Sequence, residues 1–131
     1  MGTVRLLQDD ELSAAAQAIF DDIRNVRGTD YINNVWRALA NDPPLLAATW
    51  DRIKQVMAPG ALDPLVKEMV YMAVSAANGC DYCIHSHTTA AKSKGMTDQM
   101  HAELLAVIGM AMQTNGLVQA MAVEVDEVFK G

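Results

Sequence analysis

The chain has 131 residues, of which 51% are hydrophobic and 20% charged, and its formal net charge is -6. This length suits one domain, and the acidic balance with scattered Lys and Arg argues against a nucleic-acid partner, which needs clustered basic side chains. The sequence contains no run of eighteen apolar residues and no secretory signal at its start, so we expect no membrane span and a cytoplasmic protein.

Three amphipathic helices are predicted in the first half of the chain. The first covers roughly residues 10 to 26 and stops at Gly28, a residue that favours helix ends. The second covers residues 31 to 40, because the Asn-Asp-Pro-Pro sequence that follows disfavours helical geometry. The third runs from Pro44 to the Pro-Gly pair at 59–60.

A helical hairpin is predicted next. The fourth helix begins at Pro64, because Asp63 can cap it and a proline is tolerated in the first turn. Its body at 69–77 is apolar almost all round, which indicates a central buried helix. An Asn-Gly pair at 78–79 ends it, and a fifth helix runs from about residue 81 to residue 94.

The last third of the chain predicts two more helices. One starts at Thr97 and is broken by the Thr-Asn-Gly sequence at 114–116, and the other begins at Leu117 and reaches Val128. Period-two alternation, internal repeats and linkers are absent from the sequence. We therefore expect an all-α bundle of about six to seven helices that forms a single domain over residues 1–131.

The two cysteines of the chain, Cys80 and Cys83, stand three positions apart at the start of the fifth helix. His85 and His87 follow them, and thiols beside titrating groups indicate reactivity rather than packing. In a reducing compartment such a pair is more often catalytic or metal-binding than a structural staple. The free N–H groups of the first helical turn favour a thiolate at one of the two sulfurs.

The spacing of the helical hairpin brings an acid to this cluster. Cys83 and His87 share one helix face at an i, i+4 step, whereas His85 faces nearly the opposite side. Glu68 precedes Gly79 by eleven residues and His87 follows it by eight, so their offset along the hairpin is about 4.5 Å. A carboxylate beside an imidazole orients it and raises its basicity. The order Glu68, His87, Cys83 therefore predicts a base-assisted thiol system.

This cluster resembles the signature of the AhpD-like (alkylhydroperoxidase D) family, within the carboxymuconolactone decarboxylase superfamily. The family pattern is Glu, eleven residues, Cys-x-x-Cys, three residues and His. Every spacing is matched by Glu68, Cys80, Cys83 and His87. The Trp-Arg-Ala-Leu-Ala sequence at 36–40 is also similar to the family's usual lead-in, and the resemblance covers about residues 30 to 130.

The resemblance implies an all-helical homo-oligomer, a trimer or hexamer, that acts as a thiol peroxidase or disulfide oxidoreductase. Its Cys80–Cys83 pair would reduce a small-molecule hydroperoxide and be restored by an external dithiol or protein reductant, with Glu68 and His87 relaying protons. We expect Cys83 to attack the peroxide, because His87 lies one turn from it, and Cys80 to resolve the sulfenic acid. The reversed order fits the spacing nearly as well.

The chain departs from the family pattern between the cysteines. Well-studied members carry a histidine there, whereas this sequence has Asp81 and Tyr82. Tyr82 offers a hydroxyl in place of the missing imidazole, and the additional His85 is a group that could tune the site. Both are candidate supporting residues.

Three alternatives compete with the redox interpretation. Zinc has four possible ligands here, but one straight helix turns His85 away from the other three, so we expect no metal and no cofactor. A decarboxylase acting on a small lactone or carboxylic acid would use Glu68 and His87 without the thiols. A non-enzymatic redox sensor would use its disulfide to switch oligomeric contacts.

Overall fold

The computed structural model describes residues 2–131, and over that range the chain forms α-helices, two short 3-10 turns and no strand. The prediction of an all-α fold is confirmed. The helices are α1 (Ala14–Arg27), α2 (Asn34–Leu39), α3 (Pro43–Met57), α4 (Pro64–Asn78), α5 (Asp81–Ser93) and α6 (Asp98–Ala120). The 3-10 turns are Asp9–Glu11 and Glu127–Phe129. No helix within residues 2–131 combines the length and apolarity needed to cross a bilayer.

The helix ends follow the local chemistry of the sequence. The first turns of four helices donate backbone N–H groups to capping side chains, namely those of Ser13, Asp42, Asp63 and Thr97. Gly79 ends α4 with a φ of 67°, a left-handed conformation that costs glycine little because it has no Cβ. The chain therefore reverses within two residues, and α5 packs along α4 as an antiparallel hairpin.

The chain divides into two compact units, of which the first extends to Ala58. In this unit α1, α2 and α3 close around a buried core of aromatic and aliphatic side chains: Ala16, Phe20, Ile23, Ile32, Trp36, Ala40, Leu46 and Trp50. The rings of Trp36 and Trp50 meet edge to face with centroids 5.5 Å apart. Trp50 also donates its indole N–H to Asp22 at 2.7 Å, so the one polar atom of that ring is paired.

The second unit begins at Pro59 and contains the α4–α5 hairpin, with α6 packed against α4. Its buried core is small and consists of Met72, Ala91 and Met96. Glu68 and Ser75 are also buried on α4, whereas Val70 and Val74 are each 53% exposed. The prediction that α4 is buried on every side is therefore wrong for the single chain, because one apolar face of this helix remains open to solvent.

The predicted break at residues 114–116 is also wrong, because α6 continues from Asp98 to Ala120. The Thr114 hydroxyl donates to the carbonyl oxygens of Met110 and Ala111, at 3.1 and 3.2 Å, so this side chain bonds inside the helix instead of redirecting the chain. A glycine inside a helix costs only about 1 kcal/mol relative to alanine. The two helices predicted here are one, and the chain beyond Met121 is not α-helical.

Candidate active site

The α4–α5 hairpin places Glu68 against His87, as the sequence spacing predicts. The Oε2 atom of Glu68 lies 2.7 Å from Nδ1 of His87. The two side chains are 6% and 16% exposed, so the contact is largely shielded from water. Because Nδ1 is engaged by the carboxylate, Nε2 is the ring nitrogen left to exchange a proton with another group.

The same carboxylate has a second partner that the sequence analysis did not assign to the site. The Nζ atom of Lys94, the residue that follows α5, donates to Oε1 of Glu68 at 3.0 Å. Burial pushes the pKa of Glu68 upward, but the hydrogen bonds from His87 and Lys94 outweigh it and hold the pKa below its ordinary value. Glu68 is therefore an anion at neutral pH.

Tyr71 is a further neighbour that the sequence analysis did not assign. Its ring stacks on the His87 imidazole, with centroids 3.6 Å apart and planes 21° from parallel. Burial raises the pKa of Tyr71, and negative charge on Cys83, Cys80 and Glu68 raises it further. The phenol thus stays protonated at neutral pH and lies within electrostatic reach of both the carboxylate and the thiols.

Cys80 and Cys83 form the second hydrogen-bonded pair of the site. Both thiols are free and half-buried. Cys80 is the N-cap residue of α5, and its sulfur accepts the backbone N–H of Cys83 at 3.3 Å. A hydrogen bond with the Cys80 side chain, burial and negative charge on Cys80 raise the pKa of Cys83 to about 11. At neutral pH the Cys83 thiol therefore keeps its proton unless a base removes it.

Within residues 2–131, one hydrogen bond joins Glu68 to His87 and another joins Cys83 to Cys80. No hydrogen bond in that range joins the His87 imidazole to either sulfur. The predicted residues therefore come together as two adjacent pairs on one hairpin. His85 is exposed, as the helical geometry predicts, and Tyr82 in the first turn of α5 is 45% exposed. No three His, Cys, Asp or Glu side chains of the described part of the chain converge as metal ligands would.

Comparison with known proteins places this chain in a family. The sequence model of the carboxymuconolactone decarboxylase family matches residues 43–124. The chain is 61% identical to the alkylhydroperoxidase AhpD core from Rhodospirillum rubrum, whose crystal structure superposes with a TM-score of 0.96 over 98% of this chain and 97% of that one.

Two curated relatives are longer proteins. The alkyl hydroperoxide reductase AhpD of Solibacter usitatus is 33% identical over 104 residues, which are 79% of this chain and 57% of that protein. An alkyl hydroperoxide reductase of Mycobacterium tuberculosis is 32% identical over 84 residues, which are 64% of this chain and 24% of that protein. The chain thus spans a little over half the length of the first relative. It belongs to the carboxymuconolactone decarboxylase family and, within it, to the AhpD-like group.

Proposed function

We propose that this chain is a thiol peroxidase and disulfide oxidoreductase that reduces hydroperoxides through Cys80 and Cys83. One observation carries the proposal: a buried carboxylate, Glu68, hydrogen-bonds to His87 beside a free pair of half-buried thiols. Base-assisted thiol oxidation uses this set of groups. The relatives that carry the names alkylhydroperoxidase and alkyl hydroperoxide reductase support the same activity.

In the first step, the Cys83 thiolate attacks the terminal oxygen of a hydroperoxide. The S–O bond forms, the O–O bond breaks, and the sulfur is oxidised by two electrons to a sulfenic acid. His87 takes the thiol proton and returns it to the departing alkoxide, which leaves as an alcohol. Glu68, already an anion, stabilises the imidazolium that exists between these two transfers.

The pKa of about 11 explains why Cys83 needs such a base. Without one, only a small fraction of the Cys83 thiols is ionised at pH 7. A thiol of high pKa forms a strong nucleophile once its proton is removed. We therefore assign the attack to Cys83, with His87 one helical turn away as the group that removes the proton.

In the second step, the Cys80 sulfur attacks the sulfenic acid sulfur of Cys83. The S–S bond forms, the S–O bond breaks, and the hydroxyl leaves as water after it receives the Cys80 proton. An external dithiol, either a small molecule or a reductant protein, then supplies two electrons and two protons and becomes a disulfide itself. A reducing compartment such as the cytoplasm would supply that donor.

Single-cysteine variants test this cycle. We expect Cys83→Ser to abolish peroxide turnover, whereas Cys80→Ser should form one equivalent of sulfenic acid and then stall, because no resolving sulfur remains. Turnover is measured as peroxide consumption with a dithiol donor, and the sulfenic acid by dimedone trapping. Equal and undiminished turnover in both variants would rule out the dithiol cycle.

Two results would point to the alternative functions. Unaltered decarboxylation of a lactone acid by a double Cys80→Ser, Cys83→Ser variant would favour acid–base chemistry by Glu68 and His87 alone. Thiols that oxidise with peroxide but fail to turn over with any dithiol donor would favour a redox sensor. In either case the peroxidase proposal fails.

The exposure of α6 supports self-association of the chain. This helix has 23 residues and buries none of them fully, although apolar side chains lie all around it. Its exposed large apolar residues are Leu105, Val107, Met110, Met112, Leu117 and Val118. A helix that is apolar all round is normally buried, so we infer that further copies of the chain cover it. The family resemblance suggests a trimer or hexamer. A monomeric mass by light scattering at micromolar concentration would contradict this inference.

A further inference from the structure

We propose that Lys94 is a positioning residue that keeps Glu68 paired in both protonation states of His87 and so leaves His87 free to take up and release a proton. The proposal rests on the proposed function, in which His87 acts as a base. It assigns a role to a residue outside the Glu, Cys-x-x-Cys and His pattern.

The geometry divides the two oxygens of Glu68 between two nitrogen partners, an imidazole and an ammonium. Oε2 meets Nδ1 of His87 at 2.7 Å, and Oε1 meets Nζ of Lys94 at 3.0 Å. The Glu68 side chain is 6% exposed, whereas that of Lys94 is 38% exposed. The carboxylate thus has little water to solvate it, and protein groups provide most of its compensation.

Because the Glu68 carboxylate is shielded from water, His87 as its single partner would be held in the protonated form. If His87 were the single partner, loss of its proton would leave a shielded carboxylate without a counter-charge, which is unfavourable. The imidazole would then hold its proton and could not accept one from a thiol. With Lys94 on the other oxygen, Glu68 stays paired whether His87 is neutral or charged, and the ammonium also disfavours excess positive charge nearby.

The remaining groups around the pair do not replace Lys94. Tyr71 on α4 is stacked against the imidazole and is neutral at neutral pH. Cys80 and Cys83 on α5 add negative charge when ionised, not positive charge. The residues of α6 packed against the hydrophobic core of this unit, Met100 and Leu104, are apolar.

The fold holds Lys94 in place. It follows His87 by seven residues, or two helical turns, so both side chains leave the same face of the α5 segment. Its backbone N–H donates to the carbonyl of Ala90 at 3.1 Å, and Gly95 follows with a left-handed φ of 102° that ends the helix. Lys92, two residues earlier, is exposed and offers a matched control.

The test is an NMR titration of the histidine side chains in the reduced full chain. In Lys94→Met, we expect the midpoint of the His87 titration to move upward by about one pH unit, because Glu68 then has only the imidazolium as counter-ion. His85 and His101 should stay unchanged and serve as internal references. Lys94→Arg should restore the wild-type midpoint, and Lys92→Met should leave it in place. Lys94→Gln, which is polar, should give the same shift as Lys94→Met and serves if the latter folds poorly.

A His87 midpoint that stays in place or moves downward in folded Lys94→Met or Lys94→Gln would overturn the proposal. An equal upward shift in Lys92→Met would also overturn it, since any lysine near the end of α5 would then suffice. The titration does not depend on turnover. An upward shift in a protein that does not consume peroxide would therefore support the role of Lys94 while the peroxidase proposal fails.

Discussion

The two compact units of the chain differ in what their buried positions contain. The first unit buries large apolar side chains, including Phe20, Trp36, Leu46 and Trp50, and none of the predicted reactive groups lies in it. The second unit buries only three hydrophobic residues, yet it also buries the carboxylate of Glu68 and carries both thiols. A shielded charge needs partners at fixed distances, and the α4–α5 hairpin supplies them. The contrast predicts that stability and reactivity respond to different substitutions.

The largest expected effect is on stability in the first unit. Leu46→Ala should lower the free energy of unfolding by about 2–5 kcal/mol, because it leaves a cavity in a fully buried core. Its neighbour Leu45 is 51% exposed, so Leu45→Ala is a matched control with an expected change within about 0.5 kcal/mol. Urea denaturation measures both. Equal losses in the two variants would contradict the core assignment.

Glu68→Gln should affect reactivity in the second unit. The amide cannot stabilise an imidazolium as the carboxylate does, so we expect the apparent thiol pKa to rise and peroxide oxidation at neutral pH to slow by about 100-fold. Glu103→Gln, at an exposed position of α6, is the control. The pH profile of iodoacetamide alkylation reports the thiols directly. A profile that matches wild type would mean that Glu68 does not act on them.

Cys80→Ala should shift the titration of the other thiol. The hydrogen bond with Cys80 and its negative charge raise the pKa of Cys83, so removing that sulfur should lower the pKa from about 11 toward 9. Burial also raises this pKa and persists in the variant, so the value should stay above the ordinary one. Thiolate absorbance against pH measures the shift. A Cys83 pKa that stays near 11 would show that burial alone sets it.

The smallest expected effect is on stability in acid. The folded pKa of Glu68 is below its ordinary value of 4.5, so its contribution to stability is present above that pH and is lost as the pH falls through the folded pKa. We therefore expect wild-type stability to decrease below about pH 4.5 more steeply than that of Glu68→Gln. Urea midpoints measured between pH 6 and pH 3 test this. Urea midpoints that fall equally with pH in the two proteins would contradict it.

The sequence predicted the hairpin well because its signals are local and mutually consistent. Asp63 caps α4 and Gly79 ends it, and the count of residues on either side of that glycine predicted the contact between Glu68 and His87. The Asn-Gly sequence near residue 115 wrongly predicts a break, because its turn propensity is weak beside the continuous hydrogen-bond ladder of α6. The first predicted helix also began too early, since Ser13 is its cap and a 3-10 turn precedes it.

Tyr71 and Lys94 could not be assigned from residue types alone, because side-chain contacts across a hairpin depend on rotamers and on the exact register. A periodic signal for them does exist. Tyr71 follows Glu68 by three residues and contacts His87, and Lys94 follows His87 by seven and contacts Glu68, so each shares a helix face with one member of the pair and touches the other. The raised pKa of Cys83 could not be predicted from the sequence either, because it depends on which sulfur occupies the cap of α5.

The central claim is that Cys80 and Cys83 are oxidised together by one hydroperoxide molecule. Stopped-flow mixing of the reduced protein with one equivalent of an organic hydroperoxide, followed by acid quenching and mass spectrometry, tests it directly. We expect both thiols to disappear with a mass loss of two hydrogen atoms, and a peptide map to show an intramolecular bond between Cys80 and Cys83. Intact thiols after the peroxide is supplied, or a disulfide that only joins separate chains, would contradict the account.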